Sequence, residues 1–266
     1  MARSGSDGRV ASLAHGAVSG GAATMTRNIA PPERPALGLV PGLMDDAYLW
    51  THQVKHFAEV AQPAVADITA EERIEAMARS VLDQAPDRFA LAGFSLDGSV
   101  SLALMRLVPE RVQKLALLCA SARPDTPARR EERRTHMADV ADDPASVERV
   151  IRNEIALVIH PERARDPAFV EAIVAMALRQ GPAVYARQNR ACMARPDSRP
   201  SLATIQCPTL ALSGREDRVL PPTLSEEMTE GIEKARHVVI EDCGHYAPIE
   251  RPQAVTALLR EWLVYA

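Results

Sequence analysis

Two hydrophobic rhythms alternate along the chain. Apolar runs near 36–41, 64–68, 88–93, 114–120, 207–213 and 236–241 are short and nearly continuous, as in strands buried on both faces. Between them, apolar residues recur every three or four positions near 47–60, 71–84, 96–107, 222–232 and 252–264, which predicts helices. Trp50 and Phe57, seven apart, are the expected anchors of the first helix. Alternation of this kind predicts an α/β fold with a mostly parallel, doubly wound sheet and right-handed crossovers. It stops between Ala122 and Ser201, where Val147–Ile159, Pro167–Arg179 and Pro182–Ala194 read as helices. The expected organisation is a core of residues 31–121 and 202–266, with a helical insertion over 122–201.

Residues 1–30 fit neither rhythm. They are rich in Ala, Gly and Ser, and Arg3, Arg9 and Arg27 face the lone acid Asp7. They lack the apolar segment of a secretory signal and read as a disordered leader, with Met25 a candidate start. A chain of 266 residues can bury about three quarters of its unfolded surface. Its formal charge of −4 argues against a nucleic-acid binder relying on broad positive potential. No run of eighteen apolar residues exists, so no membrane-spanning helix is expected. Cys119, Cys192, Cys207 and Cys243 have no CxxC spacing, and free thiols in a reducing cytoplasm are expected.

Chemistry-bearing residues gather just past the predicted strands. Ser95 lies in Gly93-Phe94-Ser95-Leu96-Asp97-Gly98, between the third strand and the helix after it. A serine there is lifted out of the sheet on a tight turn. A serine hydroxyl needs a base and an acid to become a nucleophile. Asp217 follows the strand that ends in Leu212-Ser213-Gly214, and His245 follows the last strand in Asp242-Cys243-Gly244-His245. In an open parallel sheet this edge is where sites assemble. The first strand runs into the glycine loop Val40-Pro41-Gly42-Leu43-Met44-Asp45-Asp46. Backbone amides of Leu43 and Leu96 are the candidate donors to a developing oxyanion.

Together these pieces resemble the α/β-hydrolase superfamily, in its compact bacterial esterase and enol-lactonase-like branch. The resemblance spans about residues 36–266. It rests on Leu39-Val40-Pro41-Gly42-Leu43-Met44-Asp45 with Trp50, Gly93-Phe94-Ser95, Gly214-Arg215-Glu216-Asp217 with Pro221, and Cys243-Gly244-His245 with Glu250-Arg251-Pro252. It implies a nucleophile Ser95, a base His245, an acid Asp217, oxyanion donors Leu43 and Leu96, and a helical cap over the site. The implied activity is hydrolysis of a small, apolar ester or lactone through an acyl-enzyme, with no metal or organic cofactor. C–C bond hydrolysis or perhydrolysis on the same residues is the alternative. Two positions depart from the pattern. Pro41 replaces the usual His, and Asp97 stands where the elbow's second glycine belongs. A carboxylate there adds negative charge near an oxyanion site, so a non-catalytic ligand-binding member is a further reading.

Simpler roles compete at each position. Ser95 would also serve as a helix N-cap. Glu216 and Asp125 are rival acids. Asp45 and Asp46 read as caps of the helix that starts near Ala47. His52 and His56 fit a solvated helix face better than a metal site, and His160 reads as structural. Arg129-Arg130-Glu131-Glu132-Arg133-Arg134 mixes signs and reads as an exposed face. Met137, Met176 and Met193 are candidates for an apolar pocket lining.

Overall fold

A computed structural model describes residues 34–143 and 145–265; the leader read over 1–30 lies outside them. The strands are β1 (Ala36–Val40), β2 (Gln62–Val65), β3 (Phe89–Phe94), β4 (Val112–Leu118), β5 (Thr209–Gly214) and β6 (Ala235–Ile240). They form one sheet in the order β2-β1-β3-β4-β5-β6, and every pairing is parallel. β3 and β5 are buried at every position, which explains why they appear in sequence as unbroken apolar runs.

Alternate side chains enter opposite layers. Leu115 and Leu117 of β4 join the cluster of Met77, Val81, Val100, Leu104 and Met228. That cluster packs α2 (Ile74–Gln84), α3 (Leu96–Leu107) and α7 (Pro222–Glu230). Ala116 and Leu118 face the other way, into Trp50, Phe57, Leu259 and Trp262. There lie α1 (Thr51–Phe57), preceded by a 3₁₀ turn over Ala47–Trp50, and α9 (Pro252–Tyr265), preceded by the single turn α8 (Ala247–Glu250). Trp50 and Phe57 are fully buried, as their spacing predicts.

β2 starts at Gln62, two residues before the predicted run, and takes in Pro63. It is an edge strand. Gln62 and Ala66 donate their amides to Pro35 and Leu39, so alternate amides face β1. Pro63, which has no N–H, falls on the open side, where proline is tolerated.

Between β4 and β5 come α4 (Pro127–Asp142), α5 (Ser146–Val158) and α6 (Pro167–Ala194). Thr126 caps α4 through the Arg129 amide. α6 joins the two helices expected from sequence across a kink at Gly181 (φ 75°, ψ 174°), next to Pro182. The ends of this stretch meet where the Ser198 amide donates to the Ala122 carbonyl at 2.8 Å.

The strand order reverses direction at β1. The chain steps out to β2, then returns to place β3 on β1's other side. Loops leaving the carboxyl ends of strands at such a point diverge and leave a crevice. The loops after β1 and β3 carry Leu43 and Ser95.

Candidate active site

Ser95 occupies a backbone conformation that L-residues rarely adopt, φ 56° and ψ −111°. Its amide donates to the Leu118 carbonyl at 2.9 Å, which fixes the turn to the end of β4. Such strain costs about 1–3 kcal/mol and persists only where the surroundings enforce it. The hydroxyl meets His245: Ser95 Oγ and His245 Nε2 are 2.8 Å apart. On the other side of the ring, Nδ1 lies 2.7 Å from Asp217 Oδ2. Asp217 Oδ1 accepts from the Val219 and Leu220 amides at 2.9 and 2.8 Å, which fixes the carboxylate. Three loops after β3, β5 and β6 thus deliver one continuous hydrogen-bonded chain.

The rival acids are otherwise engaged. Glu216 accepts from the Cys243 amide at 2.9 Å and so supports the histidine loop. Asp125 lies between Arg133 Nε and Arg195 Nη2, each 2.8 Å away. Arg133 therefore turns inward, which corrects the reading of 129–134 as wholly exposed. His52 Nδ1 lies 2.8 Å from Thr256 Oγ1 and stacks on His56 at 4.2 Å, a helix-face role. The methionines do not line the space beside Ser95; Met176 is buried against the sheet, and Met137 packs with Val140 and Val147.

The amides of Leu43 and Leu96 donate to no acceptor among the described residues, whereas the neighbouring Met44 amide donates to Gln188 Oε1 at 2.7 Å. Leu96 begins α3, where the helix dipole favours negative charge. Asp45 and Asp46, both read as caps, divide the work. Asp46 caps the 3₁₀ turn through the Tyr48 amide. Asp45 turns inward, accepting from the Gly42 amide at 3.1 Å and the Tyr246 hydroxyl at 3.0 Å. Burial pushes its pKa up to about 7.

Asp97 does not face the hydroxyl. Its carboxyl leans over Gly93, where an added Cβ would lie 1.8 Å from Oδ2, and it accepts from Ser101 Oγ at 2.8 Å. Burial pushes its pKa well up, which favours the neutral acid over the charge expected there. Gly98 does not make room for it; instead it lets α3 press on Ala120, 2.4 Å from where a Cβ would sit.

The histidine loop has a support that sequence named only as part of a motif. Buried Glu250 accepts from the amides of His160, Gly244 and Tyr246 at 2.8, 3.1 and 3.0 Å. The His245 amide donates to the Val158 carbonyl at 2.8 Å. His160 is thus structural, through its backbone. Burial alone would lower the His245 pKa; the charge and hydrogen bond of Asp217, with the charge of Asp45, outweigh it and set it above the ordinary value. Cys119, Asp217 and His245 have ligand atoms within 4.8 Å of one another. Burial raises the Cys119 thiol well above its usual range, away from the thiolate a metal needs, and the Asp217–His245 contact occupies the other two. Two cavities, about 280 and 310 Å³, reach Ser95, and Ile151, Val158 and Ile173 of the insertion wall the first.

A family model described as the alpha/beta hydrolase fold matches residues 63–252. Pimeloyl-acyl-carrier-protein methyl ester esterase of Nitrosomonas europaea is 26% identical over 188 residues, covering 68% of this chain and 73% of that enzyme. The structure of a thermophilic esterase from Thermogutta terrifontis superposes with a TM-score of 0.79 at 29% identity, over 87% of this chain and 90% of that one. The enol-lactonase of Burkholderia xenovorans LB400 has the same fold, with a TM-score of 0.79 at 22% identity, over 87% of this chain and 92% of that one.

Proposed function

The chain belongs to the alpha/beta hydrolase fold family, and we propose that it is a serine hydrolase that cleaves a small ester or lactone through an acyl-enzyme on Ser95. The reading is carried by the uninterrupted chain Ser95 Oγ, His245, Asp217, with contacts of 2.8 and 2.7 Å. His245 Nε2 takes the hydroxyl proton as Oγ attacks the carbonyl. Nδ1–H donates to Asp217, which holds the ring in that tautomer and stabilises the imidazolium. The oxyanion of the tetrahedral intermediate takes hydrogen bonds from the Leu43 and Leu96 amides. His245 returns its proton to the leaving alcohol, and water repeats the sequence to release the acid.

Relatives named as esterases support this class of chemistry. The inward turn of Asp97 supports an active elbow over a non-catalytic binder. The insertion α4–α6 acts as the cap, since its side chains wall the cavity at Ser95. Among the described residues no helix is long and apolar enough to cross a membrane. The four cysteines are free thiols, which suits a reducing cytoplasm.

A fluorophosphonate probe tests the reading. It is expected to label Ser95 in the wild type and to fail with Ser95→Ala, while 4-nitrophenyl butyrate hydrolysis falls by at least about 10⁴-fold. A wild type that neither labels nor hydrolyses short esters overturns it.

A further inference from the structure

We propose that the cavity between Ser95 and the Arg133–Arg195 pair binds a carboxylate carried by the substrate, so that the ester or lactone cleaved here is anionic. This deepens the serine-hydrolase reading and rests on it. Two guanidiniums converge on one carboxylate, that of Asp125. Arg133 Nε and Arg195 Nη2 each lie 2.8 Å from it, and the three side chains are only 12%, 10% and 1% exposed. One carboxylate cannot neutralise two guanidiniums, so the group carries a net positive charge out of water. Such a charge is costly unless an anion completes it.

Donor capacity is left over as well. Arg133 directs one further N–H to Asn189 Oδ1 at 2.7 Å. Arg195 Nε is buried and has no acceptor among the described residues. That N–H is closed off from the cavity, so a planar carboxylate would meet the outer N–H groups of the two forks, which line it. The other cations at the cavity are already answered: Arg123 pairs with Glu227, and Arg129 with Glu132 and, at 3.8 Å, with Glu154, whose charge also reaches Arg133 and offsets part of the excess there. What excess remains is greatest at Arg195, whose one ion-pair partner among the described residues, Asp125, is shared with Arg133. Leu96 and Leu220 supply apolar wall between that charge and the hydroxyl. A volume of about 310 Å³ accommodates a short chain with a charged end. The small, apolar substrate expected from sequence is thereby replaced by a small one with a charged end.

The test compares matched substrates on the intact protein. Mono-4-nitrophenyl glutarate is set against 4-nitrophenyl valerate for a carboxylate on the acyl side. On the alcohol side, 4-carboxyphenyl butyrate is set against 4-carbamoylphenyl butyrate. In at least one pair the charged member is expected to have a kcat/KM about tenfold higher or more, carried mainly by KM. Arg195→Gln is expected to bring that ratio close to one, and Arg195→Lys to leave it between the two. A purely structural role for the arginines lowers both members together; an unchanged ratio in Arg195→Gln overturns the proposal. So does a wild type that prefers the neutral member of both pairs. If Ser95 fails to label, the hydrolase reading falls and calorimetry judges the site alone. Glutarate binding that glutaramide does not reproduce and Arg195→Gln removes upholds a carboxylate site, and no glutarate binding overturns it.

Discussion

Replacing Asp45 with Asn tests whether the carboxyl beneath the Gly42 loop is held against its own charge. Asp45 is 2% exposed, and burial lifts its pKa from 3.8 to about 7. An acid whose folded pKa exceeds its unfolded one binds its proton more tightly when folded. Stability is then lost as pH rises through the window between the two values, and levels off above the folded pKa. That window is roughly three pH units wide, and each unit is worth about 1.4 kcal/mol, so the ionised group costs the fold about 4 kcal/mol above pH 7. Asn has a similar shape and its oxygen can still accept from the Gly42 amide, but it does not titrate. Urea unfolding of both proteins at pH 5, 6, 7 and 8.5 reads the effect: groups not coupled to Asp45 cancel in the difference, and the coupled His245 is followed separately through its pH–rate profile. The stability of Asp45→Asn relative to wild type should climb by about 2 kcal/mol between pH 5 and pH 7, and by about half a kcal/mol more before levelling off near pH 8.5. A difference constant to within about 0.5 kcal/mol over the whole range refutes the reasoning.

Three further outcomes follow from the same geometry. Asp217→Asn should lower kcat on 4-nitrophenyl butyrate by about 10³–10⁴-fold, and Glu216→Gln by less than about tenfold, which separates the two adjacent acids in one assay. Because the Asp217 and Asp45 carboxylates raise the His245 pKa despite its burial, kcat/KM should rise with pH through a midpoint above 6.5; Asp45→Asn should move that midpoint down in a pH–rate profile. Gly93→Ala should cost about 1–3 kcal/mol by overpacking against Asp97. In a double-mutant cycle with Asp97→Gly the combined loss should fall short of the sum of the single losses.

Much of this molecule is written in its local pattern. β3 and β5 are covered on both faces, so their apolar runs needed no tertiary information to recognise. Ser95 and Asp217 follow those two runs, His245 follows the half-buried edge strand β6, and chain order did the rest. What sequence could not supply depends on distant partners. Asp45 and Asp46 are neighbours of the same type, yet only one caps a helix; the other answers Tyr246, which lies 201 residues away. Asp97 in place of a glycine looked like added charge beside the hydroxyl, and only the structure shows it buried and packed over Gly93. Arg133 sits in a mixed-charge run, and nothing local marks it as the inward one. β2 shifted because proline is penalised in strands generally but not on an amide that faces an open edge.

Several contacts stitch the insertion to the floor beneath it, and two of them hold the loops of Leu43 and His245. Gln188 of α6 holds the Met44 amide, and the carbonyl of Val158 holds that of His245. A wholesale swing of the insertion would tear both seams and unsettle the loops that carry His245 and Leu43, the base and an oxyanion donor in the proposed mechanism. On the proposed reading, substrate exchange proceeds by local parting around these stitches. For the same reason, grafting a foreign cap from a relative would blunt turnover even on the native substrate, unless the graft brought its own replacements for those two acceptors.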